Sequence, residues 1–429
     1  MTMLNRTIAP DFQPIKKLSI HQPESLSFDN GLQTFVFQSP ELELIKFEFT
    51  FVNYFDTKEL PLLNTALSAM FKEGTSNRTS AEIAEEIDFY GAYLMAEYTF
   101  DHTSLTLYTM HKYVDKVLPI VLDLLQNSIF PQKELDTYIR NNKQSLEISL
   151  KKNDFVARRL FYQEVFGNNR YGVVPTAEAF DLISRDSLLE LYHNQIQPCN
   201  CTLFVGGNVS EDILSTIQDL FGNQWGGKSC VKQQQDMLCV DKKDGSFITE
   251  LKDDSIQSAI RLGAIAINRG HADFPALQFV NTLFGGFFGS RLMRNIREDK
   301  GYTYSIGSAV VSLKNTGFMT IATEVGVEVT EKTLDEIKKE FEIIRNDLAS
   351  DEEIDLVRNY MQGVLLGSLE SIFSHADKFK AVYYSNMDLS YYDYYSEVIN
   401  SIDAKGVQDI AKKYLDYDQL TKVVVGKLG

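Results

Sequence analysis

Two stretches follow one plan: GAYLMAEYTFDHTSLTLYTM from Gly91 to Met110, and GYTYSIGSAVVSLKNTGFMTIATEV from Gly301 to Val325. Each opens on a glycine and continues through extended, β-rich sequence. Each is then followed by an amphipathic stretch of helical period, Tyr113 to Gln126 in the first and Glu331 to Ile344 in the second. The offset is 301 − 91 = 210 residues. Further landmarks repeat. Leu42 to Phe51 and Ala259 to Ile267 both read as strands near the start of a half. TLFVG, Thr202 to Gly206, has a counterpart in KVVVG, Lys422 to Gly426, at 426 − 206 = 220. A tandem duplication of a domain of about 200 residues accounts for the set.

Working outward, strands and helices mix without a regular βαβ alternation. Asn30-Gly31 before alternating Leu32, Thr34 and Val36 predicts a hairpin turn entering a strand. Thr79-x-x-Glu82 is a capping box, followed by Ile83 and Ile87 on one helical face and ended by Gly91. Ser350-x-x-Glu353 is a second box, followed by Ile354, Val357, Met361 and Leu365. The fold class expected is α+β, two tandem homologous domains, each a mostly antiparallel sheet packed against helices. The boundaries are 1–222, a linker at 223–244, and 245–429. GNQWGGK from Gly222 and the glutamines 233–235 interrupt any apolar period there, which predicts an exposed linker.

Composition narrows function. The 429 residues include 42 basic and 59 acidic side chains, a formal charge of −17. Such a balance argues against nucleic-acid binding, which needs a basic face, and would suit a basic peptide. The 44% hydrophobic content is that of a globular chain. No apolar run is long enough to span a membrane, and Met1 to Phe12 lacks the features of a secretory leader. A cytoplasmic location is the expectation, with a periplasmic one left open. Four cysteines without paired CxxC spacing read as reduced thiols, Cys199 and Cys201 alternating on a strand. His102 and His111 on neighbouring extended segments lack a third metal ligand and read as ordinary strand histidines. The tyrosines between Tyr383 and Tyr395 suit either a partner surface or a wet core.

Two segments are more specific: LLNTALSAMFKEGT, Leu62 to Thr75, followed by TSAEIAEEIDFYGAYLMAEYT; and FGGFFGSRLMRNIREDKGYTYS, Phe284 to Ser305. Together they resemble the insulinase/pitrilysin family of zinc peptidases, above all its two-subunit branch, the mitochondrial processing peptidase and its bacterial relatives. In that family an inverted motif, HxxEH, lies on a helix shortly before a turn like Gly74-Thr75. Residues at i and i+4 share a helix face, so two His bind one zinc, and the Glu between them activates the metal-bound water. A distal Glu completes the ligand set. Carried onto this chain, the two His positions fall on Thr65 and Ala69, the Glu on Ser68 and the distal ligand near Asn141. Glu73 could shift the count by one, yet no His lies between His21 and His102. Ala69 has no ligand atom and Ser68 is no carboxylate base.

In the two-subunit relatives the non-zinc subunit brings an Arg and a Tyr, in a pattern like R-x-x-x-G-x-x-Y, to substrate near the partner's zinc. Here Arg297, Gly301 and Tyr304 keep that spacing after the glycine pair Gly285-Gly286. The guanidinium offers a fork of donors and the phenol a single directed hydroxyl. A surface ion pair of Arg297 with Glu298 or Asp299 is the plain alternative, and no Gly-Lys-Ser/Thr follows the glycines to make a phosphate loop. Active members carry an Asn-Ala-x-Thr strand where this chain has Met95-Ala96-Glu97-Tyr98-Thr99. The resemblance thus implies a catalytically inactive subunit that binds peptide through Arg297 and Tyr304 and works beside an HxxEH-bearing homologue. The zinc would sit in the partner and not in this chain. A stand-alone structural or peptide-binding member of the family is the alternative, and an independent metalloprotease with unusual ligands a third.

Overall fold

The computed structural model describes residues 19–54, 60–227 and 245–428. Asn30-Gly31 makes the expected hairpin: Gly31, at φ +89°, turns β1 (Glu24–Ser27) back on β2 (Gln33–Gln38). With β3 (Leu44–Val52), β4 (Tyr93–Tyr98), β5 (His102–Met110) and β6 (Cys201–Gly207), they form one sheet in the order β1-β2-β6-β3-β5-β4. The second sheet contains β7 (Phe247–Leu251), β8 (Gln257–Ala266), β9 (Thr303–Ser312), β10 (Gly317–Gly326) and β11 (Thr421–Gly426), in the order β7-β11-β8-β10-β9. Strand for strand this repeats β2-β6-β3-β5-β4. The one parallel pairing also recurs in the same place, β2 with β6 and β7 with β11. The chain is α+β, with two tandem domains.

Glycines fix the register of the repeat. Gly207 lies opposite the last residue of β2 and Gly426 opposite the last of β7, at φ +131° and +133°. A Cβ at Gly207 would come within 2.5 Å of the Leu44 carbonyl oxygen, and one at Gly426 within 2.7 Å of Ser258 Oγ, so both the dihedral and the space demand glycine. The equivalent pair is therefore Gly207 and Gly426, offset 426 − 207 = 219. Pairing Gly206 with Gly426 from the sequence is one residue out.

Both capping boxes form, starting α2 (Ser80–Phe89) and the helix Asp351–Gly367. The amphipathic stretches are α3 (Val114–Asn127) and the helix Thr330–Asn346. Each sheet buries one face against helices of its own half. In the first, Phe47, Phe49 and Phe51 of β3 share a core with Val117 and Val121 of α3 and with Trp225. The opposite face of each sheet is covered by a helix from the other half. Helix α5 (Asn153–Phe166) lays Val156, Ala157, Phe161 and Val165 on Ala259, Phe318, Val423 and Val425 of the second sheet. Reciprocally, the helix Ile372–Tyr383 places Ile372 and Ala376 on Phe35, Phe37 and Phe204 of the first. Uncovering each of those phenylalanines would cost roughly 2 kcal/mol.

The exchanged helix also buries charge. Lys46 and Glu48 on β3 are 7% and 5% exposed. Glu48 pairs with Lys46 at 2.8 Å and with Lys380, and Lys46 reaches Asp377 at 3.2 Å. Burial opposes the Lys46 charge, but Glu48 and Asp377 outweigh it and raise its pKa. Nearby, the two equivalent hairpins meet, the Lys314 backbone N–H donating to Asp101 at 3.1 Å.

Several sequence expectations change. Cys199 belongs to a 3₁₀ turn, Pro198–Asn200, not to a strand. It is also disulfide-bonded, so the reading of four reduced thiols fails there. Cys201 is free and buried. The linker expected from Gly222 does not begin so early: Gln218–Gln224 is a π-helical turn, and Trp225 is 2% exposed beneath Phe49 and Phe51. The remainder, 228–244, lies outside the described residues. His102 starts β5 and His111 follows its last residue, roughly 30 Å of strand away, which excludes a shared metal. Most of the tyrosine cluster is core: Tyr391 and Tyr392 are buried, and the Tyr392 hydroxyl donates to the Lys378 carbonyl. Among the described residues no helix is long and apolar enough to cross a membrane.

Two measurements check these assignments. Alkylation of the denatured, unreduced chain should label Cys201 and spare Cys199, with Cys199 labelled only after reduction. His102 has its pKa lowered from 6.5 to about 4, chiefly by burial, with Lys314, Lys380 and Arg170 adding and Asp101 opposing. A histidine depressed on folding contributes its full stability above its unfolded pKa and loses it as pH falls toward the folded value. Melting temperature should therefore fall more steeply between pH 6.5 and 4 in the wild type than in His102→Gln, by roughly 2–3 kcal/mol in stability. Parallel acid limbs would contradict this.

Candidate functional site

The turn between α1 (Leu63–Met70) and α2 is built around one carboxylate. Asp123 of α3 accepts from Thr75 Oγ1 at 2.7 Å, Asn77 Nδ2 at 2.6 Å, Arg78 Nη1 at 2.8 Å and Asn127 Nδ2 at 2.9 Å. Burial works against its charge, and these four donors overcome it and lower its pKa. Gly74, at φ +137°, turns the chain beside Pro131, and its carbonyl accepts from Ile129 N–H at 3.1 Å. The turn thereby fixes the end of α1. Thr65 and Ala69 share one face of that helix, with Ser68 beside them, and α4 (Gln132–Ser149) carries Asn141. Ala69 and Asn141 are exposed, Ser68 is buried and Thr65 is half-buried. Tyr98 on β4 hydrogen-bonds to the Thr65 side chain, its own pKa pushed up to about 12, mainly by burial. Among the described residues no three His, Cys, Asp or Glu side chains come together as a metal site. Glu73 does not substitute: it accepts from Ser80 Oγ at 3.0 Å.

The second half assembles Arg297 and Tyr304. The helix Phe274–Asn281 runs on into a π-helical turn, Thr282–Gly286, where a Cβ on Gly285 would stand 2.5 Å from Ser308 Oγ of β9. Gly289 lies against Phe287, which stacks on Tyr360 at 4.7 Å. Arg291 forks onto Glu353 at 2.8 and 2.9 Å, and the same carboxylate caps the helix Asp351–Gly367. This ties the glycine-rich loop to a rigid helix end. Beyond it Gly301, at φ +67°, brings the chain into β9.

The Arg297 guanidinium carbon is 4.6 Å from the Phe288 ring centre and 5.7 Å from that of Tyr304. Its contacts are thus aromatic, and neither Glu298 nor Asp299 takes it as an ion pair. Tyr304 is 89% exposed and Phe288 61%. That exposure leaves the phenol hydroxyl at the surface, while the half-buried Arg297 guanidinium is held by ring faces rather than spent on a carboxylate. Phe288 was missed in the sequence; its signal is an aromatic pair, Phe287-Phe288, inside a glycine-rich loop. Among the described residues strand β9 pairs only with β10, which leaves its other edge unpaired beside Tyr304, and β4, with Met95 to Tyr98, is the equivalent edge strand of the first sheet. The arrangement can bind extended backbone through a strand edge and carbonyl oxygens through Arg297 and Tyr304. As a check on the framework, Asp123→Ala should cost about 2–3 kcal/mol by stranding four donors, read as the loss in denaturant midpoint; a change within error would remove Asp123 from this role.

Comparison with known proteins gives the family. Residues 60–173 match the family description Insulinase (Peptidase family M16), and residues 182–361 match Peptidase M16 inactive domain. An uncharacterised zinc protease of Bacillus subtilis, YmxG, is 24% identical over 83% of this chain and 85% of its own length. A probable inactive metalloprotease of the same organism, YmfF, is 25% identical over 49% of each chain. In fold, the chain resembles the crystal structure of a peptidase M16 inactive domain from Pseudomonas fluorescens, with TM-score 0.83 and 20% identity over 94% of this chain and 98% of that one. It also resembles a protease from Helicobacter pylori, with TM-score 0.87 and 16% identity over 95% and 100%. With residues 60–173 in the first half and 182–361 running from the end of the first half through much of the second, the chain is a member of the insulinase family of peptidases, family M16.

Proposed function

We propose that this chain is a catalytically inactive subunit of a heterodimeric zinc peptidase, enclosing and positioning peptide for a homologous partner that carries HxxEH. One contrast carries the reading. The helix of the zinc motif is kept in place by the Asp123 turn while Thr65, Ser68, Ala69 and Asn141 offer no ligand set, and the Arg297–Tyr304 pair is assembled with its donors unspent. A helix framework kept without its metal chemistry, next to polar groups free for substrate, suits a subunit that binds and does not cleave. The similarity of half the chain to a probable inactive metalloprotease supports the same reading.

In this role Arg297 and Tyr304 hold carbonyl oxygens of the peptide near the partner's zinc, and β9 pairs with its backbone. The zinc belongs to the partner and supplies water activation there. No step of the chemistry is assigned to a metal in this chain.

Co-purification from the native source should recover an HxxEH-bearing chain. Purified alone, this protein should contain no stoichiometric zinc and cleave no peptide. In the reconstituted pair, Arg297→Ala with Tyr304→Phe should lower peptidase activity by about a hundredfold without weakening subunit association measured by sedimentation. Unchanged activity of the double variant would remove the substrate role. A pure protein with bound zinc and activity of its own would instead establish an independent peptidase.

A further inference from the structure

Strand β9 departs from the duplicated plan at one point. It pairs regularly with β10 from Ser312, opposite Gly317, to Ile306, opposite Thr323, and resumes with Thr303 opposite Val325. Tyr304 and Ser305 therefore face the single residue Glu324, which makes a β-bulge. The equivalent pair in the first half has none: β4 runs unbroken against β5 from Tyr93, opposite Tyr108, to Tyr98, opposite Thr103.

The extra residue decides which way Tyr304 points. Side chains of a strand alternate between its two faces. In an unbroken β9, Tyr304 would share the face of Ile306, Ser308 and Val310, all of which are buried. Counted from Gly91 and Gly301, its counterpart in the first half is Leu94, which is 5% exposed and part of the first core. Tyr304 is instead 89% exposed, with its ring beside the Arg297 guanidinium. The bulge thus turns a core position into a surface one.

Two threonine hydroxyls hold the bulge. Ser305 has no partner on β10, yet its N–H donates to Thr303 Oγ1 at 3.1 Å. Thr303 Oγ1 also lies 2.9 Å from the Ser305 carbonyl oxygen and 2.7 Å from that of Glu324, either of which takes its proton. Thr323, 6% exposed on β10, places its Oγ1 2.9 Å from both Thr303 Oγ1 and the Ser305 carbonyl oxygen. These bonds satisfy backbone groups that the ladder leaves unpaired at the bulge.

We propose that Thr303 and Thr323 are positioning residues for Tyr304: by locking the bulge they keep the phenol out of the core and beside Arg297, where a peptide carbonyl can meet it. The consequence for peptide rests on the function proposed above, whereas the aiming of Tyr304 stands on strand register alone. The same device explains why the first half presents no such group, since β4 without a bulge sends Leu94 inward.

The test labels position 304 of the full chain with meta-fluorotyrosine and follows it by fluorine NMR. Thr323→Val keeps the side-chain shape and removes the hydroxyl. It should move the Tyr304 resonance and weaken its response to Arg297→Ala, and Thr323→Ser should restore both. In the reconstituted pair, Thr323→Val should lower kcat/KM about tenfold. That loss should vanish when Tyr304→Phe is already present, because the threonine acts through the phenol. A merely structural role would lower activity alike with and without the phenol, and that result would overturn the proposal. Should Thr323→Val melt early, Thr303→Val carries the same expectations. A resonance unmoved in a folded threonine variant would also overturn the proposal. A moved resonance with unchanged activity would keep the positioning role and remove the peptide role instead.

Discussion

A sheet has two faces, and in this molecule neither half can dry both of its own. The strands beside the exchanged helices are buried along most of their length: every residue of β6 is buried, as are seven of the nine in β3. Covering them needs two layers. Each half supplies one for its own sheet and one for its neighbour's, through α5 in one direction and the helix Ile372–Tyr383 in the other. The charge network of Lys46, Glu48, Asp377 and Lys380 and the meeting of the two hairpins both follow from that exchange. A buried network of this kind adds little net stability, because desolvation consumes most of the Coulomb gain. It does penalise any other seating of the helix, since a shifted Lys380 would leave Glu48 under-paired.

What could be read from the sequence was what repeats locally. The duplicated strands, both capping boxes, the Asn30-Gly31 hairpin and the spacing of Arg297 and Tyr304 are each written within a few residues, and the structure forms each of them. What could not be read depends on distant partners. LIKFEFTFV, Leu44 to Val52, alternates so that Lys46, Glu48 and Thr50 suggest a wetted face. That face is dry because a helix more than three hundred residues later lies on it. Trp225 looked like part of a linker because the glycines around it suggest a loop, yet its ring completes the first core. The disulfide at Cys199 was equally hidden, since spacing alone cannot pair cysteines.

The two halves of the site illustrate how framework and chemistry separate in a duplicated fold. In the first half, Asp123, Gly74 and the capping box hold α1 and α2 in place around Thr65, Ser68 and Ala69. In the second, glycine close packing and the Arg291–Glu353 fork support a half-buried guanidinium flanked by the Phe288 and Tyr304 rings. Packing maintains both scaffolds, so a scaffold alone says nothing of activity; the donors and acceptors left unpaired do.

The helix exchange also bears on how the protein is made. The first sheet is complete once β6 has been synthesised, at Gly207, but Phe35, Phe37 and Phe204 have no cover until the chain reaches the helix Ile372–Tyr383. During the intervening stretch of translation the nascent first half exposes an apolar sheet face. It must either remain loosely folded on the ribosome or be shielded by a chaperone until the second half arrives.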